Sequence, residues 1–407
     1  MRVIRINAVY GLSSTGRTVK QLDEGLKKYG VDSTTAYLSG PGSDRDLKMN
    51  TPNGVKLHSL MARLTGKAGY YSAGATKKLL KYLDEQKPDI VHLHNLHSNF
   101  IDLPMLFEYL SANRLPVVVT LHDCWWYTGK CTHYTLDGCR KWLSCCGSCP
   151  QLKKDIPSLF FDRTQKLLAD KKNWFGSLKP LAVIGVSDWI TNEAKMSFLG
   201  GADIIERVYN WIDTAVFKPT ESDILKKHGL EGKKILLGVA SQWMDPKGLG
   251  AFIELSHELP KDTALVLIGK MPGNEERDIS NITIIPATES QEELARWYSA
   301  ADVFITLSTE ESFGKVTAEA LACGTPVVAV NSTASPELVG KDCGVVIDDT
   351  EPKTVLTAAR TVLAWGKQNR KDKCRAFALN CFDMEKNTAK TADLYRRLLE
   401  ISTGGNE

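Results

Sequence analysis

The stretch Ala301–Val330, ADVFITLSTEESFGKVTAEALACGTPVVAV, decides the fold. It opens with VFITL, an apolar run of strand length. A polar turn follows, then Gly314, then a helical pattern, then the turn signal CGTP and a second apolar run. Strand, turn, helix and strand in this order form the unit from which parallel sheets are built. Glu311 falls in the turn and Glu319 in the helix, with seven residues between them. Both are expected to face the mouth of the strand–helix unit. In open α/β sheets ligands bind at that mouth, beyond the carboxyl ends of the strands. Backbone N–H groups at the helix start suit a phosphate. A carboxylate further in suits a pair of sugar hydroxyls, because it accepts two hydrogen bonds at once. The bare spacing would equally fit two solvated helix residues; the flanking ADVF, FG and EALACGTPVV give it meaning.

The same alternation extends outward along the chain. Apolar runs predict strands at Arg2–Val9, Ile90–Leu93, Pro116–Leu121 and Leu181–Val186, then at Ile235–Val239, Ala264–Ile268, Ile282–Ile285, Val303–Thr306 and Pro326–Val330. Helical patterns lie between them, at Val19–Tyr29, Thr76–Gln86, Ala251–Glu258 and Gln291–Ser299. This is the signature of parallel sheets covered on both faces. The 407 residues are too many for one ordinary core and suit two domains. A net charge of +3 and the lack of any nucleic-acid-binding motif exclude nucleic acid as a partner class. MRVIRINAVYGL has charge inside its apolar stretch and reads as a first buried strand, not a leader. No apolar run is long enough to cross a bilayer. A cytoplasmic protein is expected, at most peripheral at the inner face of the cell membrane. The basic segment Asn50–Gly69 reads as a solvated helix, with a membrane-surface helix as the other reading.

The E-x7-E run resembles the signature of the retaining glycosyltransferases of family 4, of the bacterial surface-polysaccharide type. The resemblance implies the GT-B fold, an α/β architecture of two Rossmann-like doubly wound domains facing across a cleft. RVYNWIDTAVFKP resembles the family's crossing between domains, although Trp211 stands where glycine is usual. The implied division is an acceptor-binding domain at 1–207, a nucleotide-sugar domain at 208–383, and a closing helix at 384–407 that returns to the first domain. The resemblance places Glu311 by the donor sugar and Glu319 on the ribose, with Phe313 and Gly314 between them. The backbone of Ile284–Pro286 would meet the base. GVASQWMDPKGLG resembles the element whose Arg and Lys hold the donor diphosphate. Lys247 matches the Lys, but Gln242 replaces the Arg, and a Gln cannot neutralise a phosphate.

In the first domain, VYGLSSTGRTVKQL offers Gly16 for close backbone approach to the donor. Arg17 could supply the charge that Gln242 lacks. The loop has no G-x-G-x-x-G pattern, which argues against a nicotinamide enzyme. VVVTLHD resembles a strand end whose histidine touches the donor sugar, here His122. Ser187 in VIGVSDWI lies at a similar strand end, with a helix N-cap as the equal alternative. His92 and His94 point the same way on a strand and could pair on a metal, but the resemblance implies none there.

Six of the ten cysteines fall between Cys124 and Cys149. Cys131, Cys139, Cys146 and Cys149 suit a closed structural zinc site, with free thiols or a disulfide as the other readings. The segment looks too rich in glycine, and too irregular, to hold its shape by periodic packing.

The expected activity is transfer of a sugar from a UDP or GDP sugar to a glycan or lipid-linked oligosaccharide, with no cofactor for catalysis. Glu311, Lys247 and His122 would be catalytic. Glu319, Gln242, Gly16, Arg17, Phe313, Gly314 and Ser187 would bind substrate. A sugar-nucleotide epimerase on the same fold and a noncatalytic sugar-binding module are the alternatives.

Overall fold

The computed structural model describes residues 1–273 and 279–404. The last three residues of the expected closing helix lie outside that range. Contacts divide the chain into two compact units, Met1–Val208 with Glu385–Glu407, and Tyr209–Met384. Each unit is a parallel α/β sheet.

The first unit has seven strands: β1 Arg2–Val9, β2 Asp32–Ser39, β3 Leu47–Lys48, β4 Ile90–Leu93, β5 Val117–Leu121, β6 Leu181–Gly185 and β7 Ile204–Arg207, in spatial order β3-β2-β1-β4-β5-β6-β7. The second has six: β8 Lys234–Gln242, β9 Thr263–Lys270, β10 Ile282–Ile285, β11 Val303–Thr306, β12 Val327–Val330 and β13 Gly344–Ile347, in order β10-β9-β8-β11-β12-β13. Among the described residues all sheet pairings are parallel. The inner strands β4, β5, β11 and β12 are buried along their whole length. Strands covered on both faces carry continuous apolar runs, which is why their sequences do not alternate.

Each sheet has a switch point, where successive connections turn to opposite sides. In the first it lies between β1 and β4, in the second between β8 and β11. The crevice that opens beside such a point is the general ligand site of open α/β sheets.

The helix after β1 runs over Ser13–Leu26, starting earlier than its apolar pattern suggests. The basic segment forms the helix Pro52–Thr65. Thr51 caps it, accepting from the Gly54 N–H at 3.2 Å, and Pro at the first turn lacks the N–H that would go unpaired there. Among the described residues no helix is long and apolar enough to cross a membrane.

The cysteine-rich segment has a source of order that the sequence reading did not weigh. It has little regular structure beyond the short turns Trp125–Tyr127 and Lys141–Leu143, yet it is packed. Trp125, Trp126, Tyr127, Tyr134 and Trp142 are all buried, and ring pairs such as Trp125–Trp126 and Tyr127–Trp142 stand 4.7 and 5.0 Å apart. Aromatic burial holds the segment without periodicity.

Candidate active site

The second unit gathers its polar residues beyond β8 and β11. After β8 the chain makes a tight turn, Asp245–Lys247, closed by Gly248. Gly248 has φ +77°, and a Cβ there would stand 2.5 Å from the Leu307 side chain. Only glycine lets this turn lie against the chain leaving β11. The turn presents Lys247, whose Nζ donates to Glu311 Oε1 at 2.5 Å and to Ser308 Oγ at 3.4 Å. The pair is partly shielded, the two side chains being 30% and 17% exposed. Glu311 is fixed by its own backbone. Its N–H donates to Thr333 Oγ1 at 2.9 Å, and its carbonyl accepts from the Ala334 N–H at 3.2 Å.

Gly314 follows with φ +94°, a left-handed conformation that starts the helix Lys315–Ala322. Glu319 lies one turn into that helix, half-buried, and its Oε2 accepts from the Tyr298 hydroxyl at 3.1 Å. Burial, then the neighbouring Glu319 carboxylate, push the Tyr298 hydroxyl far above the usual phenol range, so it stays a donor. Phe313 is buried, its ring 5.9 Å from Tyr209 and 5.4 Å from Phe382. Its side chain therefore belongs to the core of this unit.

Gln242 is the exposed last residue of β8, in register with Lys270 at the end of β9. Lys270 went unnoticed in the sequence because nothing there shows that it lies beside Gln242. Ser308, Thr333 and Tyr298 were also missed; they are small or aromatic groups in ordinary loop and helix contexts.

In the first unit, His122 follows β5 and its Nε2 stands 3.0 Å from Nδ1 of His94, the rings nearly parallel. His94 stacks in turn on His92 at 4.1 Å. His92 is fully buried and bonded to Tyr395 at 2.6 Å and Thr120 at 2.7 Å. Burial, with Arg5 and the other histidines adding to it, drives His92 and His94 well below the ordinary imidazole range. Both are neutral hydrogen-bonding groups. Next to them Asp123 pairs with His97 at 3.0 Å. Burial pulls His97 down, but the Asp123 carboxylate outweighs it and the net shift is upward.

Two other residues have structural duties. Gly16 is the fourth residue of its helix, where a Cβ would stand 3.0 Å from both Val9 Cγ1 and Val9 O. Its smallness lets the helix sit on β1. Ser187 is fully buried, and its hydroxyl caps the helix Asp188–Met196 by accepting from the Ile190 N–H at 3.2 Å. Arg17 is exposed on its helix.

Cys131, Cys139, Cys146 and Cys149 line one cavity. Cys131 and Cys149 are hydrogen-bonded, and that bond makes Cys149 the more acidic of the two. Among the described residues no group of three or more His, Cys, Asp or Glu side chains stands in ligating position, the His92–His94 pair included.

Comparison with known proteins agrees with this arrangement. The family described as Glycosyltransferase Family 4 matches residues 15–216, and that described as Glycosyl transferases group 1 matches 233–364. WcaC of Escherichia coli (strain K12), provisionally named a colanic acid biosynthesis glycosyl transferase, is 25% identical over 68% of this chain and 68% of its own. The N-acetyl-alpha-D-glucosaminyl L-malate synthase of Bacillus anthracis is 26% identical over 66% of this chain and 63% of its own. Among solved structures, sucrose-phosphate synthase from Thermosynechococcus elongatus superposes with a TM-score of 0.70 at 16% identity, over 98% of this chain and 99% of that one. HepE of Anabaena, in complex with UDP, gives 0.68 at 17%, over 98% and 100%. The chain belongs to the family 4, group 1 glycosyltransferases of GT-B fold. It is a transferase enzyme.

Proposed function

We propose that the enzyme moves a sugar from a nucleotide-diphosphate sugar, with UDP as the preferred carrier, to a glycan or lipid-linked oligosaccharide, retaining the anomeric configuration. The observation that carries this reading is the Lys247–Glu311 pair at the switch point of the second sheet. A diphosphate arriving there draws the ammonium away from Glu311. Lys247 then stabilises the charge that develops as the diphosphate leaves, aided by N–H groups at the start of the helix Lys315–Ala322. Freed of the lysine, Glu311 accepts from donor-sugar hydroxyls, while Glu319 holds the ribose. Lys270, beside Gln242, adds the positive charge that a glutamine lacks. His122 contacts the donor sugar, and a phosphate oxygen takes the acceptor's proton. UDP is preferred because the structurally similar HepE is described in complexes with UDP and UDP-glucose.

The enzyme works in the cytoplasm, with peripheral contact at the inner face of the membrane. The helix Pro52–Thr65 exposes Leu57 and Leu60 beside Lys56 and Arg63. The neighbouring Leu159–Phe161, joined to it by the Leu159 N–H donating to the Arg63 carbonyl at 2.8 Å, exposes three more apolar side chains. Apolar and basic groups together suit an anionic lipid surface.

The test is a thermal-shift panel of UDP, GDP and ADP sugars, followed by product analysis with lipid-linked oligosaccharides. A selective rise in melting temperature with a UDP sugar, and a product keeping the donor's configuration, are expected. An inverted product refutes the mechanism. Appearance of an epimer without acceptor would assign an isomerase instead.

A further inference from the structure

The cysteine-rich segment carries a second site, remote in function from sugar transfer. Cys131, Cys139, Cys146 and Cys149 line a cavity with about 20 Å³ of free space, room for a water-sized guest or smaller. Gly129 lies close beside it: a Cβ there would stand 2.6 Å from the Thr164 carbonyl oxygen and 3.1 Å from the Cys146 sulfur. Cys145, by contrast, is exposed and turned to its neighbour's carbonyl, and Cys124 is buried in the core. Four thiols of six thus converge on one small space.

An independent observation concerns charge. Lys130 and Lys171 are 3% and 2% exposed. Lys130 Nζ is held by the carbonyls of Gln151 and Leu152, at 2.7 and 3.1 Å. Lys171 Nζ is held by those of Trp125 and Thr128, at 2.5 and 3.0 Å, and lies 3.8 Å above the Trp125 ring. Carbonyls and a ring satisfy the N–H donors but bring no net negative charge. Charge acts on them from two sources, the carboxylates (Asp123 on Lys171, Asp155 and Asp162 on Lys130) and the cysteine sulfurs. Lys130 lines the same cavity.

We propose that these four cysteines bind one structural zinc ion, whose tetrathiolate shell adds to the negative charge around buried Lys130 and Lys171. Zinc draws the four side chains inward from the cavity wall into a tetrahedron and displaces their protons. A closed tetrathiolate has no open position, so the ion takes no part in the reaction. It staples the segment that follows His122 and Asp123, fixing the end of β5. The proposal does not depend on the identity of the donor or on the sugar-transfer mechanism.

The experiment uses the full chain, untagged and purified without chelator. Elemental analysis should give about one zinc per chain. Cobalt-reconstituted protein should show thiolate charge-transfer bands and the intense visible bands of a tetrahedral site. Cys145→Ser should keep its zinc, and Cys149→Ser should lose it and melt at a lower temperature. Should Cys149→Ser fail to fold, wild-type stoichiometry and the cobalt spectrum decide the matter. Folded wild-type protein without zinc would overturn the proposal. So would a Cys131–Cys149 disulfide in freshly purified protein, or zinc retained in a folded Cys149→Ser.

Discussion

Replacing Glu319 by alanine has two separable effects, and the structure says how to tell them apart. Glu319 Oε2 already accepts from the Tyr298 hydroxyl. A carboxylate accepts several hydrogen bonds at once, and the proposed ribose role adds the ribose hydroxyls to that of Tyr298. Hydrogen bonds to a charged group contribute about 1.5–3 kcal/mol. At about 1.4 kcal/mol per decade, the nucleotide dissociation constant should rise roughly tenfold to a hundredfold. The same change strands the buried Tyr298 hydroxyl, which costs about 1–3 kcal/mol of stability. Tyr298→Phe is the control: it removes the hydroxyl but leaves the carboxylate. Calorimetric titration with UDP should find nucleotide binding close to wild type in Tyr298→Phe and much weaker in Glu319→Ala. Equal UDP affinity in folded Glu319→Ala and wild type would refute the ribose role.

Lys247→Met should lower kcat by roughly two to three orders of magnitude, as loss of a group that stabilises developing charge does, whereas Glu311→Gln should leave UDP affinity near wild type while turnover collapses; steady-state kinetics and titration separate the two. Activity should survive EDTA in a short assay, because Lys247 and N–H dipoles stabilise the leaving diphosphate, and dependence on added Mg²⁺ would contradict that. Lys270→Ala should weaken donor binding, and Gln242→Arg should restore it in that background; if Arg17 is the compensating cation, Arg17→Ala will be the severe change instead.

The chemistry of the sequence was most legible where burial is complete. Runs such as IVHL and VFIT could only be inner strands, and β4 and β11 have the expected limits. The strand DSTTAYLS was missed because it is polar, its hydrogen-bonding groups being satisfied by side chains outside the strand. Thr35 takes the Asp46 carboxylate through its N–H, and Ser33 bonds Asp23. β13 was missed because it is an edge strand with only its last residue buried. Glu311 was found from local pattern, but its contact with Lys247 spans 64 positions and exists only because β8 and β11 pair. Gly16 shows a different limit. A glycine near a helix start reads the same whether it admits a phosphate or a strand, and the nearness of Val9 is visible only in the fold. Lys130 and Lys171 gave no signal, since burial of a lysine is a property of the packed chain.

The helix Met384–Gly404 packs into the first unit through Leu394, Tyr395 and Leu398, with Tyr395 reaching His92 and Arg397 pairing with Glu206 at 2.6 Å. Synthesis runs from the N-terminus, so the ribosome finishes residues 1–208 long before it makes their last helix. Until then His92 lacks its Tyr395 partner, and the apolar groove that receives Leu394 and Leu398 stays wet. The second unit, encoded between, has all its own strands first and can fold while the first waits. Nascent chains stalled after residue 384 should therefore expose the first unit, not the second, to proteases and chaperones. A frameshift near the 3′ end of the message would injure the part of the protein encoded at its beginning.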